Sequence, residues 1–280
     1  VEAKSGYGLS TESEIKQLEV IREVNESHPM DLVPTFLGAH EVPDEYRDNP
    51  DDYVDLLINE MIPAVVKSNL AEFCDIFCEE GVFDIEQSRK IQSAAKKAGL
   101  ALKFHADELA STGGAELAAE LGAVSADHIV YISDAGIKAM AKAGTAAVLL
   151  PGTTFSLAGK QYAPARKMIE AGVAVALSTD CNPGSSFTES LSIIISLATL
   201  QMKLTAAECI SAVTVNAAHA LNRTNLIGQL TPGYLADITL WDMEDYRELP
   251  YHYGVNLASR VFKRGKPVVN NSGHGNVRRQ

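Results

Sequence analysis

Basic side chains are scarce in this chain. Lysine and arginine number 24 against 36 aspartates and glutamates, a formal net charge of −12 over 280 residues. They gather nowhere into an extended cluster, and Arg278-Arg279 near the end is only a pair. Nucleic acid and anionic membrane are therefore not expected partners. Long apolar runs are also missing, since none approaches the roughly 20 residues that span a bilayer. No basic n-region followed by an apolar h-region opens the chain, so no secretion signal is read. Cysteines are few. Of the four, Cys74 and Cys78 lie four apart on an expected strand, about 13 Å along it and beyond disulfide reach. Both are expected to face the core, and a reducing cytoplasm fits.

Two motif classes are absent. No G-x-G-x-x-G opens a strand–helix unit, so a dinucleotide is unsupported. Pro183-Gly184-Ser185-Ser186-Phe187 lacks the second glycine of a nucleophile elbow, so a Ser–His–Asp hydrolase is disfavoured. An initiator Met is absent as well. Val1-Glu2-Ala3-Lys4 opens directly as a strand, which predicts that a leading segment is missing.

Strands and amphipathic helices alternate through most of the chain. With 46% hydrophobic and 21% charged residues, it can bury a large core. Strands are expected at 1–4, 32–37, 73–78, 100–104, 124–127, 146–150 and 173–179. Helices are expected at 11–27, 52–67, 85–98, 113–121, 134–143 and 163–171. Thr11 with Glu14 reads as a capping box, and Gly81, Gly99, Gly122, Gly144 and Gly172 supply stops. This alternation specifies a parallel sheet, either a closed (β/α)8 barrel short of one unit or an open sheet. Beyond Ser190 the pattern changes to helices at 191–200 and 206–221, then short strands near 236–241, 259–262 and 267–269.

The strand ends carry the chemistry. The first expected strand leads into Lys4-Ser5-Gly6-Tyr7 and the second into Gly38-Ala39-His40. The fourth ends at His105-Ala106-Asp107-Glu108, the fifth at Asp127-His128 and the seventh at Asp180. In parallel α/β folds this edge collects reacting groups. Singly, His40 also reads as a loop residue, and His128 and Asp180 as helix caps. Together, histidines and carboxylates on one rim suit Zn²⁺ or Fe²⁺. Such an ion lowers the pKa of bound water and polarises a carbonyl. Glu108, three residues beyond His105, stands where it could transfer protons.

Several blocks resemble the imidazolonepropionase family of the amidohydrolase superfamily. They are Lys4-Ser5-Gly6-Tyr7-Gly8-Leu9, Phe36-Leu37-Gly38-Ala39-His40, Lys103-Phe104-His105-Ala106-Asp107-Glu108 and Ser178-Thr179-Asp180-Cys181-Asn182-Pro183-Gly184-Ser185-Ser186. Ala126-Asp127-His128 and Gly233-Tyr234-Leu235-Ala236-Asp237-Ile238 match too, so the likeness covers about residues 1–269. It implies an α/β fold, a (β/α)8 TIM-type barrel of the metal-dependent hydrolase kind lacking its first strand unit, plus part of a small β-sandwich domain. On that reading residues 1–222 are the barrel, 223–269 belong to the small β domain, and 270–280 form a disordered tail.

The resemblance also implies an activity: hydrolysis of the cyclic amide of 4-imidazolone-5-propanoate to N-formimino-L-glutamate in histidine degradation. It implies one divalent metal, Zn²⁺ or Fe²⁺, with His105 and Asp180 as ligands. His128 would hydrogen-bond the attacking water or the substrate carbonyl, and Glu108 would act as acid and base. Tyr7, His40, Glu108, Asn182, Gly184 and Ser185 would hold substrate, and a cytoplasmic homodimer is implied. One departure is large: the family's His-x-His and the arginine after it occur nowhere in this chain. Two metal ligands are left where the family uses four, so the chain by itself is expected to bind metal poorly and to be inactive. The alternatives are another amidohydrolase, such as a purine or pyrimidine aminohydrolase, or a metal-free binding barrel.

Overall fold

The structure is a computed structural model and describes residues 1–271. The chain divides into two compact units. One comprises residues 1–149 with 167–174, the other residues 150–166 with 175 onward.

In the first unit six strands follow one another: β1 (Glu2–Lys4), β2 (Val33–Ala39), β3 (Phe73–Cys78), β4 (Ala101–Ala106), β5 (Ser125–His128) and β6 (Ala146–Leu149). Each pairs in parallel with the next. Sequential order with helical crossovers is the arrangement of a TIM-type barrel wall. The crossovers include helices Thr11–Ser27, Ile85–Lys97, Gly114–Leu121 and Asp134–Ala143. Strands covered on both faces read as nearly continuous apolar runs, and Phe36, Phe73, Ile76, Leu102 and Phe104 are all buried. Cys74 and Cys78 are buried free thiols on β3, as expected.

Several local expectations change. The helix beginning at Thr11 is capped by Ser10, whose side chain accepts from the Ser13 amide. Glu14 is not used in a capping box. It is fully buried and turns back to the loop after β1. The helix expected over 52–67 starts at Pro50, where proline's missing N–H costs nothing, and contains a π-type turn at Leu57–Met61.

The second unit contains helix Pro151–Ser156, β7 (Val175–Leu177) and helices Leu191–Met202, Ala206–Val213 and Val215–Ala220. The first of these was not expected, because its Pro-Gly-Thr-Thr opening reads as a loop. The single helix expected over 206–221 is broken at Thr214, whose φ of −124° and ψ of −92° leave the helical region. A three-stranded antiparallel sheet follows, formed by β8 (Ile238–Trp241), β9 (Ala258–Lys263) and β10 (Lys266–Asn270), with β9 central. No helix among the described residues is long and apolar enough to cross a membrane. The tail expected to be disordered lies, after Asn271, outside the described residues.

Candidate active site

Parallel register lines up the C-terminal edges of β3, β4 and β5. Phe77 stands opposite His105, His105 opposite Asp127, and Ala106 opposite His128. The rings of Tyr7, His40, His105 and His128 form a row. Tyr7 meets His40 edge-on at 5.3 Å between centroids, His40 lies 6.4 Å from His105, and His105 lies 5.2 Å from His128. His40 is oriented by its Nδ1, 2.8 Å from the Gly6 carbonyl. Thus four residues singled out from sequence come together in one unit.

Glu108 completes the group, with Oε1 3.3 Å from His128 Nδ1. Its backbone is pinned by one of the carboxylates expected at the end of the third strand. Glu79, itself buried, accepts from the amides of Glu108 and Leu109, each at 2.9 Å. Asp107 holds the other side of the turn, accepting from the amides of Thr112, Gly113 and Ala115. Asp107 and His128 both adopt positive φ, 48° and 66°, an uncommon conformation that must be held by its surroundings and clusters at functional sites.

Tyr7 sits on a loop fixed in the same way. The buried Glu14 carboxylate accepts from the amides of Gly6, Gly8 and Leu9 at 2.8–2.9 Å. Gly6 has φ +117°, and an added Cβ would lie 2.9 Å from the Leu37 carbonyl oxygen, so only glycine fits there.

Behind His105 lies a charged cluster that sequence reading missed. Lys4 Nζ donates to Asp75 Oδ2 at 2.5 Å and to Asp127 Oδ2 at 2.7 Å. His105 Nδ1 stands 3.1 Å from Asp75 Oδ2, off the line of a hydrogen bond, and this buried nitrogen has no hydrogen-bond partner among the described residues. Burial alone lowers the His105 pKa, but the Asp75 carboxylate outweighs it and raises the value to about 9. Burial works against ionised Asp75 too, yet His105 and Lys4 hold its carboxyl far below the usual range. Asp127 is likewise depressed against its own burial, chiefly by Lys4. A signal for the cluster was available: Asp75 and Lys103 are charges inside strands otherwise buried on both faces, where an unpaired charge is prohibitive.

The donor chemistry fits a divalent cation. His105 offers imidazole nitrogen, and one ligand atom each from Asp75, His105 and Asp127 lie within 4.8 Å of one another. Lys4 already neutralises the two carboxylates, and all four of their oxygens accept hydrogen bonds, from Lys4, Ile76 and Ser125. The imidazole is therefore the ligand this cluster leaves available.

The remaining predicted residues belong to the second unit. Asp180 ends the segment after β7 with φ 50°, and its Oδ2 accepts from Thr153 Oγ1 at 2.6 Å. Asn182 builds the turn that follows: its Oδ1 accepts from the amides of Gly184 and Ser185, and its Nδ2 donates to the Asp180 carbonyl and to Ser185 Oγ. The Asn182 side chain thus shapes the turn, leaving Gly184 with an exposed backbone.

Comparison with known proteins shows the family and the fold. Residues 19–272 match the amidohydrolase family. A curated imidazolonepropionase from Alkaliphilus metalliredigens is 54% identical over 269 residues, and one from Geobacillus sp. strain WCH70 is 58% identical over 269. Each alignment covers 96% of this chain and 64% or 63% of the relative, so the chain spans a little under two thirds of their length. Among solved structures, a triazine hydrolase variant superposes with a TM-score of 0.77 at 18% identity, covering 97% of this chain and 68% of that one. A zinc-bound adenosine deaminase from Xanthomonas campestris gives 0.69 at 19%, covering 91% and 64%. At these identities the structural likeness speaks for the fold alone.

Proposed function

The chain belongs to the amidohydrolase family, and on that premise we propose that, joined to the two further metal ligands its own residues do not supply, it carries out hydrolysis of the cyclic amide of 4-imidazolone-5-propanoate to N-formimino-L-glutamate. The observation that carries this reading is the row of Tyr7, His40, His105 and His128 with Glu108 against its end. The identity to curated imidazolonepropionases supports the choice of substrate. His105 and Asp180 are the proposed ligands of one divalent ion, zinc or iron. A divalent ion would supply Lewis-acid polarisation of the amide carbonyl and a more acidic water.

The chain's own residues do the rest. Water adds to the amide carbon, the bond from that carbon to the ring nitrogen breaks, and the nitrogen leaves with a proton. Glu108 is placed to take the proton from water and return it to the departing nitrogen. His128, beside Glu108, hydrogen-bonds the carbonyl oxygen as charge develops there. Tyr7 and His40 suit the propionate carboxylate; Asn182, Gly184 and Ser185 are proposed substrate contacts on the family resemblance alone, because the amides of their turn already donate to Asn182 Oδ1 and the Ser186 carbonyl. Residues 1–222 as barrel, 223–269 as part of a small β domain, a homodimer and a cytoplasmic location complete the proposal.

The test is turnover with metal analysis. The purified protein supplied with zinc or iron is incubated with 4-imidazolone-5-propanoate, and N-formimino-L-glutamate is followed by mass spectrometry, with guanine and cytosine as competitors for the alternative reading. Glu108→Gln should retain metal and lose turnover by about 10²-fold or more, whereas His105→Ala should lose metal. Near-normal kcat in Glu108→Gln refutes the acid–base assignment.

A further inference from the structure

Inside the first unit, charged residues from four strands form one connected chain. Glu2 and Lys4 on β1, Lys103 and His105 on β4, and Ser125 and Asp127 on β5 recur at the period of two that places strand residues on one face. Register sets Lys103 opposite Ser125 and His105 opposite Asp127. Lys103 Nζ lies 3.2 Å from Glu2 Oε2 and from Ser125 Oγ, Ser125 Oγ donates to Asp127 Oδ1, and Lys4 joins Asp127 to Asp75. Burying this much charge adds little to stability compared with apolar packing of the same volume. Its place behind His105 points to another purpose.

Asp75 is the member that faces the imidazole, and it is held on every side. Its Oδ1 accepts from the Ile76 amide at 2.7 Å, and its Oδ2 accepts from Lys4 while standing 3.1 Å from His105 Nδ1. Asp127, by contrast, is committed to Ser125 and Lys4. An ionised carboxylate fixed beside one ring nitrogen selects the tautomer that carries the proton there and frees the other nitrogen to ligate. We propose that Asp75 is the positioning residue for His105, holding Nδ1 as N–H so that Nε2 faces the metal, and that Lys4 is the cation that fixes Asp75 for this task. The 3.1 Å between Nδ1 and Asp75 Oδ2 is within hydrogen-bond reach for an Nδ1 proton directed at that oxygen. This inference rests on the reading of His105 as a metal ligand.

The experiment titrates zinc into metal-stripped full-length protein and records the ring resonances of His105 by ¹⁵N–¹H NMR. Zinc-loaded wild type should show His105 protonated at Nδ1 with a downfield, hydrogen-bonded proton and metallated at Nε2. Asp75→Asn should weaken zinc binding about 10- to 100-fold and move that proton upfield. Asp127→Asn, which shares Lys4 but whose oxygens are taken by Lys4 and Ser125, should change affinity far less. Unchanged affinity in Asp75→Asn, or equal losses in the two variants, overturns the assignment. Metallation of wild-type His105 at Nδ1 also overturns it, and needs no variant to fold. Wild-type zinc affinity in His105→Ala would instead remove the reading of His105 as a ligand, a separate failure.

Discussion

Replacing Lys4 by methionine tests the interior charge cluster most directly. The change keeps the length of the side chain and removes its charge, leaving Asp75 and Asp127 ionised and buried without their shared cation. Breaking a buried ion pair from one side costs about 3–5 kcal/mol, because a desolvated charge is left uncompensated. The Lys4 side chain is 22% exposed, so water can reach part of the gap and the lower end applies, about 3 kcal/mol at pH 7. Urea unfolding followed by far-ultraviolet circular dichroism measures it as a fall in midpoint at unchanged slope. The pH dependence is diagnostic. In the wild type both carboxyls are held below their ordinary values, so their stabilisation is present above about pH 4 and is lost as pH falls through the depressed native values. In Lys4→Met the same carboxyls are buried without the cation they share, which raises their pKa relative to the wild type, and protonation relieves part of the penalty as pH falls from neutral. The gap between the two proteins should be widest at pH 7 and narrow steadily towards pH 4. A gap under about 1 kcal/mol, the range of exposed pairs, or one that is flat with pH, refutes this account of the cluster.

Three further outcomes follow from other contacts. Glu14→Gln should cost about 1–3 kcal/mol, since a buried acceptor of three amides loses its charge; amide exchange at Gly6, Gly8 and Leu9 should quicken, and unchanged exchange there would contradict the role given to Glu14. Hydrogen bonds from Arg166 hold the Glu208 pKa at about 2, so the stabilisation is full above about pH 4.5 and is lost as pH falls towards 2. Glu208→Gln, at a side chain 29% exposed, should cost only about 0.5–1 kcal/mol at pH 7 and nothing near pH 2. Gly152→Ala would place a Cβ 2.7 Å from Ile194 Cδ1 and 3.0 Å from Ser186 Oγ; a loss of about 1–3 kcal/mol in thermal unfolding is expected, and a neutral result would show that the helix at Pro151–Ser156 yields easily.

The parts of this protein that were readable in advance are those governed by local pattern. Helix Asp134–Ala143 and strand Phe73–Cys78 stand where periodicity put them, because apolar spacing and glycine stops act within a few residues. Candidate residues at strand ends were readable for a related reason: parallel strands in sequential order send their C-terminal ends to one edge, whatever the packing in between. Local pattern failed where a side chain answers to something distant. Glu14 had the spacing of a helix cap and is used instead by the loop at Gly6–Leu9. Thr214 breaks a helix that its neighbours favour.

The amino-acid sequence by itself determined the alternation of strand and helix, the residues offered at the strand ends, and the family, since all three rest on residue order alone. Only the tertiary structure decided which charges share a site. Lys4, Asp75, His105 and Asp127 come from four strands separated by up to 123 positions, and nothing in their spacing announces contact. They meet because parallel pairing fixes their heights and burial forces each charge to find an opposite. His105 was visible beside the other strand-end histidines and carboxylates; its link through Asp75 to Lys4 became visible only when the strands were side by side.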